Sequence, residues 1–279
     1  VAATATSGQL QPEGIASSPS YGLVVGLGDP VSDILVRLED DNLASRVFAT
    51  CGIDEPGGCV PVDTDEDIQQ LLSVCAGEWV DGAGIPNVST DEMMMQETNV
   101  AEPTYCPGGS AANVMKGVAN LGGEAAFVGM VGRDDVGRKY RELLAAQNVR
   151  PVLLEAAAAT TGDGNEALNS AQCLSLVEKG GQRTMRTYLG ASLRMGAADF
   201  PEEEALEGAK LLHIEGYTLY RPELAKAAMR AAKARGAIVS LDMASFEVVR
   251  NCRAQLLEIL ESGLVDLLFA NEDEAEELL

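Results

Sequence analysis

The residues best suited to chemistry are Cys106-Pro107-Gly108-Gly109-Ser110-Ala111-Ala112-Asn113, near the middle of the 279-residue chain. A Gly pair tolerates positive φ and leaves no Cβ between the main chain and a ligand. Where such a pair opens a helix, the first N–H groups lack an intrahelical partner and can face a polar substrate. Asn113, one turn in, adds a donor and an acceptor. The chemistry on offer is recognition of a polar small molecule; the same residues also suit a plain tight turn before a helix.

The surrounding elements must hold that loop in place. Ala111, Met115, Val118 and Ala119 keep helical spacing to Leu121, and Gly122-Gly123 supplies the stop. Ala125 to Val131 is apolar enough for a buried strand, followed by the loop Gly132-Arg133-Asp134-Asp135-Val136-Gly137. Upstream, Tyr21 to Gly28 predicts a first buried strand, and Val31 to Leu38 alternates as a second. Gly26-x-Gly28 has Val31 where a dinucleotide-binding turn needs its third Gly and a strand where it needs a helix, which argues against such a cofactor site.

Residues 39–104 are expected to form an enlarged lid or insertion with an acidic outer surface, turn-rich at Cys51–Gly58, in which Thr64-Asp65-Glu66-Asp67 caps a helix carrying Ile68, Leu71, Leu72 and Cys75. Its Met93-Met94-Met95 run suits packing or a groove. After Gly132, a helix is expected from Asp134 to Val149, a short strand over Pro151 to Glu155 and a loop over Ala156 to Asn165. Ala171 to Glu178 and Arg183 to Leu189 flank Lys179-Gly180-Gly181-Gln182 as a hairpin. Arg183 and Arg186 on it are either solvated or turned to a phosphate.

Beyond the hairpin, strands at Lys210 to Ile214, Ala237 to Leu241 and Leu264 to Ala270 alternate with helices at Pro222 to Arg235 and Phe246 to Ser262. That alternation implies a parallel sheet covered on both faces. Ligands of such sheets sit at the carboxyl ends of the strands, where Gly216, Asp242 and Asn271 fall. His213, the one histidine, lies inside a strand and reads as a packed or surface imidazole.

Composition bounds the rest. A chain with 46% hydrophobic residues can bury a full α/β core, and a net charge of −23 argues against nucleic acid or an anionic membrane as partner. No apolar run reaches spanning length, and no secretory signal pattern is present. Residues 1–20, rich in Ala, Ser, Thr and Gly, suggest a disordered leader, with 21–279 as one domain. The expected location is cytoplasmic, or an organelle such as a plastid. Cys51, Cys59, Cys75, Cys106, Cys173 and Cys252 contain no Cys-x-x-Cys, so reduced thiols are the expectation and a zinc site is not. The cluster Cys51, Cys59 and Cys75 leaves a regulatory disulfide open.

The run of Gly108, Gly109, Asn113, Gly122 and Gly123, then Gly132, Asp134 and Gly137, resembles the signature of the PfkB, or ribokinase, family of carbohydrate and nucleoside kinases. Gly26-Leu27-Gly28-Asp29-Pro30-Val31-Ser32-Asp33-Ile34 is similar to the opening of its adenosine kinase branch, with Asp29 where that branch has Asn. The resemblance implies a ribokinase-like three-layer α/β fold with a small β lid, lacking its C-terminal part. It implies that Asp29, Asp33, Gly108, Gly109 and Asn113 bind the hydroxyls of a sugar or nucleoside. Asn271-Glu272-Asp273-Glu274 resembles the family's Asn-x-x-Glu, implying that Asn271 and Glu274 serve ATP and its Mg²⁺, Glu274 through water; an acidic first helical turn is the other reading.

The family's Gly-Ala-Gly-Asp, whose Asp activates the acceptor hydroxyl, does not occur in these residues. Its Asp is therefore expected beyond Leu279, and the chain by itself is expected to be inactive or nearly so. A non-catalytic family member acting as a binding or scaffold subunit is the alternative, and a homodimer through the lid is a further expectation.

Overall fold

The structure is a computed structural model that describes residues 22–38, 41–54, 56–75, 103–157, 159–161, 164–166 and 168–279. The expected leader and the Met93-Met94-Met95 run lie outside them. Among the described residues, six strands form one parallel sheet: β1 (Leu23–Leu27), β5 (Glu124–Val131), β6 (Val149–Glu155), β11 (Ala209–Glu215), β12 (Ile238–Asp242) and β13 (Leu267–Phe269). Their order is β13-β12-β11-β1-β5-β6.

Alternation along β5 shows why helices must cover both faces. Ala125, Phe127 and Val131 pack with Ala111, Met115, Tyr140 and Leu144 of α3 (Ser110–Asn120) and α4 (Asp135–Ala146). Ala126, Val128 and Met130 face the opposite layer, formed by α5 (Glu202–Leu206), α6 (Pro222–Ala234), α7 (Phe246–Asn251) and α8 (Arg253–Glu261). Strand residues of opposite parity thus feed two separate cores. α9 (Glu272–Leu278) ends the chain against α7, tied by Arg250 and Glu277.

The lid is a sheet with helices of its own. β2 (Ser32–Leu38), β3 (Cys59–Pro61), β4 (Thr104–Pro107), β9 (Gln172–Glu178) and β10 (Arg183–Tyr188) make a five-stranded mixed sheet ordered β3-β10-β9-β2-β4. α1 (Asp41–Thr50) and α2 (Asp65–Cys75) back it with their own core, in which Leu43, Val47, Phe48 and Ile68 meet Ile34, Val36, Leu174 and Leu176. The Thr64 cap is present: Asp67 N–H donates to Thr64 Oγ1 at 3.2 Å, and Thr64 N–H to Asp67 Oδ2 at 2.9 Å.

Three local expectations change. The loop over 156–165 contains a small antiparallel pair, β7 (Ala159–Thr161) and β8 (Gly164–Glu166). The helix expected from Phe246 to Ser262 breaks at Cys252, whose φ of −112° and ψ of 19° close α7 and open α8. Within the insertion, α1 and β3 add regular structure on either side of the turn-rich stretch expected at Cys51–Gly58. In each case long-range pairing or burial overrides a weak local signal.

Candidate functional site at the junction of the two sheets

Three chain crossings join the sheets, and they run side by side. They are Gly28 to Ser32 from β1 into β2, Pro107 to Gly109 from β4 into α3, and Asn169 to Gln172 into β9. Gly108 N–H donates to Val31 O at 2.8 Å, and Ser32 N–H to Ala171 O at 2.9 Å. Gly109, at φ +91°, is the N-cap of α3 and supplies no side-chain cap; a Cβ there would overlap the Asp29 carbonyl oxygen. Gly26 and Gly28 let α3 press onto β1, since added Cβ atoms would meet Met115 and Ala111. Close packing, not cofactor binding, accounts for that Gly-x-Gly.

Asp33 sits at this junction. β2 is an interior strand between β9 and β4, so Asp33 is half-buried rather than on an exposed edge. A Cβ on Gly108 would collide with its carboxylate, which places the carboxylate directly on the Gly-Gly turn. Burial pushes the Asp33 carboxyl up to about 6, while the Lys116 and Arg183 cations pull it down. Among the described residues no hydrogen bond engages either of its oxygens. Asn113, exposed in the first turn of α3, likewise has a side-chain amide that no described residue engages. Of the two, the partly buried Asp33 carboxylate is the one whose burial costs stability, and a ligand hydroxyl would offset that cost.

Other residues hold the turn from behind. Tyr140 O–H donates to Gly108 O at 2.8 Å from a buried position on α4, and Lys116 Nζ donates to Pro107 O at 2.5 Å. Asp134 caps α4 by accepting from Gly137 N–H at 2.7 Å and also accepts from Ser170 N–H at 2.6 Å. Ser170 Oγ accepts from Gly132 N–H at 2.8 Å, so Gly132, Asp134 and Gly137 lock the third crossing to α4. Asp29 is ion-paired with Arg221 at 2.5 Å, and Arg221 also donates to Ser192 O. The charge that Asp29 introduces is matched within the protein.

Sequence reasoning missed Lys116, Tyr140, Ser170 and Arg221. Lys116 stands three residues beyond Asn113, a helical spacing that could have flagged it. Arg221, 192 residues from Asp29, carries no local signal.

The carboxyl ends of the parallel strands carry Gly216, Asp242 and Asn271 as expected. Gly216 lies against the Met243 carbonyl, and Asp242 accepts from Ala244 N–H at 2.8 Å. Asn271 and Glu274 form a reciprocal cap of α9. Glu274 N–H donates to Asn271 Oδ1 at 2.9 Å, while Asn271 N–H and Nδ2 donate to the two Glu274 oxygens at 2.8 and 3.0 Å. Glu274 is 4% exposed with both oxygens accepting from Asn271, so direct coordination of a cation is closed off and the pair acts here as a helix cap, the other reading of the motif. Among the described residues no cluster of three or more His, Cys, Asp or Glu could hold a metal. His213 is packed between Ser240 Oγ at 3.0 Å and Glu215 at 3.4 Å. By register Arg183 shares the Asp33 face of the lid, while Arg186 turns to the other face, beside Cys51.

The six cysteines are free thiols. Cys51 and Cys75 belong to the lid core, and burial pushes them up to about 11 and about 12. Cys59 lies on the opposite face, paired in register with Met185, so the three do not meet. A hydrogen bond from Cys173, aided by Thr187 at 3.2 Å and by Arg186, holds the exposed Cys59 thiol down to about 6. Cys59 is therefore expected to be mostly thiolate at pH 7, where an ordinary cysteine is a few per cent ionised. Brief iodoacetamide treatment followed by peptide mass mapping should label Cys59 first, at a rate nearly flat from pH 7 to 8.5. Faster labelling of Cys106, or a rate climbing tenfold per pH unit, would remove that assignment.

Comparison with known proteins places this geometry in context. A family model described as pfkB family carbohydrate kinase matches residues 87–279. The chain is 29% identical over 182 residues to probable fructokinase-6, chloroplastic, of Arabidopsis thaliana, covering 60% of this chain and 43% of that protein. Its fold superposes on the adenosine kinase of Sinorhizobium meliloti with a TM-score of 0.66 and 26% identity, covering 91% of this chain and 66% of that one. A probable sugar kinase from Rhizobium etli gives a TM-score of 0.66 and 27% identity, over 93% of this chain and 67% of its own. The chain thus spans under half the length of the fructokinase and about two thirds of the solved kinases. Among the described residues, no helix is long and apolar enough to cross a membrane.

Proposed function

The chain belongs to the pfkB family of carbohydrate kinases, and from that premise we propose that it binds the acceptor in ATP-dependent phosphorylation of a hydroxymethyl group on a sugar or nucleoside. One observation carries the reading: the Asp33 carboxylate rests on Gly108 with neither oxygen hydrogen-bonded by a described residue, at the turn that opens the helix whose first turn exposes Asn113. A carboxylate that accepts from two hydroxyls, next to an amide that donates and accepts, recognises a vicinal diol better than a monofunctional alcohol.

In this reading Gly108 and Gly109 admit the ligand close to the main chain, and the uncapped N-terminus of α3 supplies N–H donors. Asp29, paired with Arg221, acts by holding the β1–β2 crossing rather than by accepting from the substrate hydroxyls. ATP would lie along the carboxyl ends of the parallel strands, toward Asn271 and Glu274. A bound Mg²⁺ would neutralise phosphate charge there, and Glu274 would reach it through water.

Phosphoryl transfer is tested with ATP, Mg²⁺ and a panel of D-fructose, D-ribose, adenosine and inosine, alongside calorimetric binding of the same acceptors. Binding of one or more acceptors that weakens when Asp33 is replaced is the expected result. Acceptor binding with no turnover by the full-length protein would favour a non-catalytic binding subunit. Absence of both would remove the reading.

A further inference from the structure

We propose that Lys116 is a positioning residue for acceptor recognition: its ammonium tethers the Gly108–Gly109 turn through Pro107 and supplies the counter-charge for the Asp33 carboxylate without occupying its oxygens. The inference rests on the reading that Asp33 grips the acceptor hydroxyls.

The geometry separates two tasks that one ion pair would merge. Lys116 Nζ donates to Pro107 O at 2.5 Å, at the last residue of β4 before the Gly pair. No salt bridge joins Lys116 to Asp33 or to any other described carboxylate, so its charge is not spent on a partner. Had the ammonium clamped Asp33 directly, the oxygens needed for substrate hydroxyls would already be taken. Held on the carbonyl, it still acts on Asp33 through a half-buried, poorly screened region.

Other groups face Asp33. Arg183 of β10 offers a second cation but is exposed at the hairpin, where solvent screens it. Cys106 of β4, Cys173 of β9 and Cys59 of β3 present thiols on the same face. Tyr140 of α4 is committed to Gly108 O, and Asp29 at the crossing is neutralised by Arg221. Lys116 is held in place by Pro107 O, and its influence on Asp33 exceeds that of Arg183.

Three variants divide the roles. Lys116→Gln keeps an N–H donor for Pro107 O but removes the charge, Lys116→Met removes both, and Lys116→Arg keeps both. The readouts are the ¹³C-carboxyl titration of Asp33 by NMR and the pH profile of D-fructose and adenosine binding.

In Lys116→Gln the Asp33 midpoint should rise by about one unit from about 6. The ionised fraction, and with it acceptor affinity, should then fall about threefold at pH 6.5 and hardly change at pH 8.5. Lys116→Arg should restore the wild-type profile, and Lys116→Met should add a loss at every pH by freeing the turn. An unmoved Asp33 titration in Lys116→Gln overturns the proposal whatever the kinetics. A moved titration with pH-independent acceptor binding instead overturns the assignment of Asp33 to the acceptor.

Discussion

Replacing Asp33 with Asn is expected to weaken acceptor binding by about two orders of magnitude while leaving the protein as stable as before, or more so, at pH 8. The loss follows from removing the stronger acceptor. Hydrogen bonds to a charged group contribute about 1.5–3 kcal/mol each, and two of them weakened to neutral bonds amount to about 3 kcal/mol, or ~100-fold in affinity. The gain follows from the seat of the carboxylate. Its folded-state value is raised to about 6, above the ordinary value of 3.8.

A raised carboxyl pKa means that the folded state binds the proton more tightly than the unfolded chain. Its contribution to stability is therefore lost as pH climbs from about 4 through about 6, and the full penalty of the charge is present above that window. Two units correspond to at most about 3 kcal/mol, and solvent reaching the half-buried group lowers the figure. Thermal melts of wild type and Asp33→Asn should nearly coincide near pH 4 and separate in favour of the variant by pH 8. Calorimetry with the acceptor should show the opposite ranking. A variant less stable at pH 8 and unaltered in binding would mark Asp33 as a structural residue.

Gly109→Ala is expected to destabilise the protein by about 3–5 kcal/mol. The backbone at φ +91° costs an L residue about 1–3 kcal/mol, and the new Cβ meets the Asp29 carbonyl, a main-chain atom that cannot swing aside. Relief would require the β1–β2 and β4–α3 crossings to separate, which would also lift Asp33 off Gly108. Gly122 provides the control: it too has positive φ, +84°, yet a Cβ there meets nothing. Gly122→Ala should cost only about 1 kcal/mol. Denaturant midpoints of the two variants measure the difference, and equal shifts would show that the close approach at Gly109 carries no weight.

The Cys59 thiol of the lid and the Asp33 carboxylate at the crossing point share one face of the same sheet. The lid sheet turns one face to its own helices and the other to the junction. Asp33 lies on the face of β2 turned to the junction, while Ile34, Val36 and Leu38 look outward to α1 and α2. Cys173 and Thr187, paired in register, share the inward face. The insertion between β2 and β4 therefore does more than shield solvent, since it supplies a second hydrophobic core that keeps the inward face in position.

The sequence by itself determined what depends on near neighbours in the chain. The Gly108–Gly109 turn and α3, the stop at Gly122-Gly123, the Thr64 cap, the β9–β10 hairpin and the strand–helix alternation after Lys210 all follow from local φ preferences, capping and periodicity. The tertiary structure alone decided the rest. Asp29 meets Arg221 across 192 residues, and Ser170 meets Asp134 across 36. β3 exists because β10 offers it hydrogen bonds, and Asp33 is interior because β4 and β9, far apart in sequence, close on either side of β2. Local propensity encodes how one segment bends, but which segments become neighbours is set by burial and register summed over the whole chain, and no short window contains that sum.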